Sequence, residues 1–158
     1  MHRTRTITVL AALILAGATA CSSSSDSSDS KPSASATAAA GTLSVELAPK
    51  LETATKADPA VCNQVGDQAC AEHLTDIALA VTDLEQSLPG AGGADAYPRT
   101  SAEVVKINAA VDAYTEHECL GDENAAITGS PCPDDAQAIM TGAAKLPSLM
   151  EVDEAKNG

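Results

Sequence analysis

The chain has no tryptophan and no phenylalanine, and its only aromatic residues are Tyr97 and Tyr114. That argues against base-stacking platforms and against the aromatic shelves usual in sugar sites. Basic residues are also scarce, with 9 Lys and Arg against 22 Asp and Glu. A field of that sign repels nucleic acid and anionic lipid headgroups and favours cationic partners. The apolar run near the start, Ile7 to Leu15, is too short for a stable membrane span of about 20 residues. Metal and phosphate signatures are missing too. There is no His-Glu-x-x-His and no Glu-x-x-His pair. Asp122–Asn124 begins like a calcium loop, but Ala126 and Ile127 stand where a ligand and a glycine are needed. The glycines after Leu88 follow a helical pattern, not a strand, so they do not read as a phosphate cradle.

What is present begins with an address. Arg3 and Arg5 precede the apolar run, and small residues lead from it to Cys21. This is the layout of an export signal. The stretch Ala18-Thr19-Ala20-Cys21 resembles the lipobox of bacterial lipoprotein precursors. The resemblance covers the first 21 residues. It implies cleavage before Cys21 and diacylation of that cysteine, which becomes a lipid-bearing N-terminus. An ordinary signal cut near Ala20 is the other reading. The Ser- and Ala-rich run over 21–41 favours the lipid, because it lacks large apolar residues and reads as a disordered tether. Loss of Arg3 and Arg5 with residues 1–20 leaves 7 basic against 22 acidic residues, a net charge of −15. The expected organisation is a signal peptide over 1–20, the tether over 21–41, one folded domain over 42–150 and an acidic tail over 151–158.

Spacing predicts an all-α domain. Cys70, Leu74, Ile77, Val81, Leu84 and Leu88 alternate at four and three, forming one apolar stripe. Asp67 suits the N-cap of that helix. Thr100 to Glu103 has the form of a capping box, and Val104, Ile107, Val111 and Tyr114 repeat the stripe behind it. Gly121 is the expected left-handed stop. Ala136, Ile139 or Met140, Ala143 and Leu146 mark a further helix, which Pro147 should kink or end. The first segment is ambiguous. Leu43, Val45 and Leu47 alternate like a strand, whereas Leu47, Leu51 and Ala54 fit a helix, and Asp58 suits a cap for an extra turn. The expectation is a small up-down bundle of about four helices, near 47–57, 67–88, 101–120 and 134–150. Folding the two central helices as a hairpin sets Ile77 beside Val111 and Val81 beside Ile107.

That hairpin gathers Cys62, Cys70, Cys119 and Cys132 at one pole. An even set of cysteines in an exported chain implies two disulfides. The local pairs Cys62–Cys70 and Cys119–Cys132 are favoured, since each ties a loop to the adjoining helix. Cys70–Cys119 with Cys62–Cys132 is the alternative. A zinc site using His73 and His117 with Cys70 and Cys119 is a competing use of the same pole. It is disfavoured because His117 and Cys119, two positions apart on a helix, point away from each other.

These observations point to a lipid-anchored, extracytoplasmic helical binding protein with an acidic surface, held to the cell membrane through its N-terminus and meeting a protein or cationic partner. A small-ligand or metal-handling domain built on the histidine–carboxylate pole is the alternative. No catalytic constellation, cofactor or nucleic-acid partner is implied. Cys21→Ser is expected to release the protein from the membrane fraction or to leave it unprocessed. Detergent partitioning and the N-terminal mass check this; an unchanged lipid-shifted mass in the variant rules the anchor out.

Overall fold

Val45 is 74% exposed while Leu43, Leu47 and Leu51 are buried, so the ambiguous first segment is a helix. The structure, a computed structural model, describes residues 42–56 and 59–157. The signal, Cys21, the tether and the Asp58 cap lie outside the described residues. Five α-helices and no strand are found among the described residues. They are α1 (Leu43–Thr55), α2 (Gln68–Ser87), α3 (Gly93–Ala96), α4 (Pro98–Glu116) and α5 (Cys132–Asn157), with short 3-10 turns at Pro59–Cys62 and Pro89–Ala91. The helix beyond the expected four is the single-turn α3. No helix among the described residues is long and apolar enough to cross a membrane.

α5 is the centre of the bundle. It packs most extensively along α4, then along α1, and it also touches α2. α2 lies chiefly on α1, and the α2–α4 pair, expected as the close hairpin, has the smaller contact. Pairs such as Glu103 with Lys145 and His117 with Asp135 show that α4 and α5 run antiparallel. Close approach of α4 and α5 needs Gly142, where a Cβ would sit 2.7 Å from Ile107 Cγ1. The core is aliphatic, with Leu47, Leu51, Ile77, Leu84, Ile107, Ile139, Leu146 and Met150 almost wholly buried. Burial of such side chains contributes about 1.5–3 kcal/mol each.

The acidic stretch after Met150 is not a tail. α5 continues through Pro147 to Asn157. Packing overrides the proline: Leu146 and Met150 are fully buried on either side of it, and the last turns dock on two other helices. Asp153, 1% exposed, accepts hydrogen bonds at Oδ2 from the backbone N–H groups of Arg99 (3.1 Å) and Thr100 (2.9 Å) and from the Thr100 hydroxyl (2.9 Å). Glu154 accepts from the Ser44 backbone N–H (2.9 Å), the Ser44 hydroxyl and the Tyr97 hydroxyl (3.1 Å). The N-cap residues Thr42 and Tyr97 make no side-chain cap bond of their own. Carboxylates of α5 therefore do that work for α1 and α4, satisfying N–H groups that lack partners inside their own helices. This corrects the expected capping box. α4 begins at Pro98, with proline in the first turn, and Thr100 is an interior residue aimed at Asp153. Glu103 turns instead to Lys106 (2.9 Å) and Lys145 (3.2 Å). The Lys106 hydrogen bond, followed by the bond and charge of Lys145, holds its carboxyl below the usual glutamate range against the desolvation that opposes it.

Both disulfides are local. Cys62 joins Cys70 and Cys119 joins Cys132, with Cα separations of 4.7 and 5.6 Å. They share one pole, as expected. There the Tyr114 hydroxyl donates to the Val65 carbonyl at 2.6 Å, and the Gly121 N–H donates to the Gly66 carbonyl at 2.9 Å. A side chain at Gly66 would fall 2.4 Å from the Asp122 carbonyl oxygen, so only glycine allows the two loops to touch.

Asp153→Ala removes the acceptor of three hydrogen bonds and leaves buried N–H groups without partners. The expected loss is about 2–3 kcal/mol in urea unfolding. Glu151→Ala, two residues before Asp153 on the exposed face, should stay within about 0.5 kcal/mol of the parent.

Candidate binding groove

The smaller contact between α2 and α4 leaves a groove. α2 presents Ala71, Thr75, Ala78 and Thr82 beside its core stripe, and these short side chains do not reach α4 to fill the gap. Val111, Tyr114 and Thr115 line the α4 side, and Leu74 and Ile139 line it from the core. Glu118, Cys119 and Leu120 line the end nearest the disulfides. The cavity volume is about 420 Å³, within the ~300–1,000 Å³ usual for ligand pockets. Leu79 and Leu120, 62% and 53% exposed, stand on its lining, so the apolar surface continues out of the groove.

Polar groups in the groove are mostly spoken for. The hydroxyls of Thr75, Thr82 and Thr115 donate to the carbonyls of Ala71 (2.7 Å), Ala78 (2.8 Å) and Val111 (3.0 Å) in their own helices. Tyr114 sends its hydroxyl to Val65, and burial pushes that phenol above the ordinary tyrosine range. The hydrogen-bonding demand of these residues is met within the protein, and an apolar occupant would leave none of them wanting.

Glu118 is the exception. α4 ends at Glu116, where the Glu118 N–H donates to the Thr115 carbonyl (3.1 Å) and the Cys119 N–H to the Tyr114 carbonyl (3.3 Å). This is a Schellman end, in which the residue at the turn adopts the left-handed conformation that suits glycine. Here it is Glu118, at φ 52°, and no other described non-glycine residue has positive φ. The expected stop, Gly121, is also left-handed at φ 81° but lies beyond the helix end. The left-handed conformation costs a non-glycine residue on the order of 1–3 kcal/mol.

The structure does not assemble the residues singled out from the sequence into one site. All four domain cysteines are spent in disulfides. His73 is half-buried beside Lys50, Thr53 and Asp76 in a shallow depression between α1 and α2. His117 Nδ1 lies 2.7 Å from Asp135 Oδ2 on α5. Among the described residues no group of three or more His, Cys, Asp and Glu side chains is placed to hold a metal ion. Sequence reasoning missed the groove and Glu118. The available signal was the set Ala71, Thr75, Ala78 and Thr82, which runs at helical spacing beside the core stripe with exposed Leu79 next to it. No protein-family model matches the chain, and no curated protein or solved structure matches it either.

Glu118→Gly should relieve the left-handed strain, offset in part by the greater freedom of glycine in the unfolded chain. The expected outcome is a gain of about 0.5–1 kcal/mol in urea unfolding with the helix content unchanged.

Proposed function

We propose that this protein is a non-enzymatic binding module, held by a lipid on Cys21 at the extracytoplasmic face of the cell membrane, and that the groove between α2 and α4 receives its partner. One observation carries the reading. A chain with 22 acidic residues and a modest aliphatic core keeps an open, apolar groove with leucines exposed along it. Exposed apolar surface next to polar rims marks interaction sites. The Ser- and Ala-rich composition of residues 21–41 supports it further, since a random-coil spacer of about 20 residues would reach on the order of 25 Å from an anchor at Cys21.

The groove is tested with Nile red, a neutral apolar probe whose fluorescence rises and shifts to the blue on transfer out of water. Full-length protein should give a saturable signal. Ala78→Trp, which fills the groove from a partly exposed position, should remove most of it. The difference between the two proteins cancels any contribution from the apolar N-terminal segment. Equal signals from both would reject the groove as a binding site.

A further inference from the structure

We propose that the occupant of the groove is a cationic amphipathic helix of a partner protein, laid between α2 and α4 with its apolar side chains down and its Lys or Arg residues over Glu118, Glu72 and Asp76. The proposal rests on the binding reading above and names the chemistry of the partner.

Shape comes first. On α2 the groove runs from Ala71 to Thr82, which at 1.5 Å per residue is about 16 Å, or three helical turns. It is bordered by two helices, open to solvent, and flanked by Leu79 and Leu120. A third helix seated there would cover both leucines and insert residues spaced i, i+3 or i+4 and i+7, the mode by which amphipathic helices enter grooves.

Charge then selects among apolar occupants. The one charged residue lining the groove is Glu118. A second depression shares Ala71, Thr75 and Leu120 with the groove and adds Glu72 and Asp76. No Lys or Arg lines either depression. An apolar floor with an acidic end complements a helix carrying one apolar face and basic residues on its flank. The same end opposes a fatty acid or an anionic lipid headgroup, whose negative charge would meet Glu118 and Glu72, while Lys50 and Lys56 border Asp76 only in the separate depression toward α1. A second copy of this chain brings a net negative charge of its own and is opposed in the same way. Glu118 adds an independent point. A glutamate stands in a left-handed turn where glycine would be unstrained, and it is among the residues that line the groove. Strain kept at one position is consistent with a side chain retained for recognition.

The test uses full-length protein and three fluorescein-labelled peptides of about 14 residues, the length that spans the groove with a turn to spare. The first is built of Leu and Lys with the leucines on one helical face. The second has the same composition in scrambled order, and the third replaces every Lys by Glu. Fluorescence anisotropy at about 0.15 M salt should show the amphipathic Leu–Lys peptide binding about tenfold or more tighter than the scrambled one, with the Leu–Glu peptide weakest. Ala78→Trp should weaken the first peptide by about tenfold, and Glu118→Lys by several-fold. Thermal melts followed by circular dichroism confirm that both variants fold. If Nile red enters the groove but the Leu–Lys peptide shows no preference over its scrambled form, the cationic-helix proposal is overturned while the binding reading stands. Binding that is unaffected by Ala78→Trp also overturns it, as generic charge attraction. Equal or tighter binding of dodecanoate or of the Leu–Glu peptide overturns it in favour of an anionic occupant. Concentration-dependent dimerisation abolished by Ala78→Trp overturns it in favour of a second copy. If Ala78→Trp leaves the Nile red signal unchanged as well, the groove reading falls with it.

Discussion

Two neighbouring carboxylates near the end of α5 hold the beginnings of two other helices. Asp153 takes the first N–H groups of α4, and Glu154 takes one from α1. The chemistry is that of an ordinary N-cap, a negative oxygen at the positive end of a helix dipole, but the acceptor arrives from a separate element. This arrangement requires α5 to run antiparallel to both α1 and α4 and to bring its last turns level with their starts. It also explains why α5 survives Pro147, because its far end is anchored by charge-assisted hydrogen bonds as well as by Met150.

From that constraint the rest of the layout follows. α4 is drawn onto α5, where Gly142 lets the helices close and Glu103 is flanked by lysines from both. α1 is drawn onto the same helix and carries α2 with it. α2 and α4 are therefore each committed to other neighbours over most of their length. At the disulfide pole Tyr114, Val65 and the Gly66–Gly121 bond join the loops, and toward the other end the Asn108 side-chain amide donates to Glu85 across the two helices (3.1 Å). Between these ties the gap remains as the groove. The groove is thus a consequence of how the bundle is locked.

Parts of this were legible in the sequence for identifiable reasons. α2 was bounded to within a residue at each end, since its stripe from Cys70 to Leu84 is unbroken and is buried as its period requires. The local disulfides were legible because short spacings beside helix ends favour ties between a loop and its own helix. The partnership of helices was not. Aligning apolar stripes paired α2 with α4, but Ile107 and Val104 serve equally well against α5, and only the backbone approach at Gly142 decides between them. The role of Asp153 and Glu154 was hidden for a similar reason. Their partners are backbone N–H groups, which carry no sequence signature, so a run of acids after Met150 reads as a solvated tail. Glu118 escaped notice because the neighbouring Gly121 offered a conventional stop and the helix ended sooner.

The Glu154–Ser44 contact spans 110 positions, from one end of the folded domain to the other. A growing or emerging chain holds Ser44 long before it holds Glu154. Until the final turns of α5 are available, the N-termini of α1 and α4 have no caps and the surface of α5 that joins them is missing. Early segments can form local helix, close Cys62–Cys70 and set α1 against α2, but they lack the α5 surface on which both dock in the finished bundle. Completion of the bundle is therefore deferred to the last stretch of chain. A fold completed from its C-terminal end becomes resistant to unfolding only once the last stretch of chain is in place.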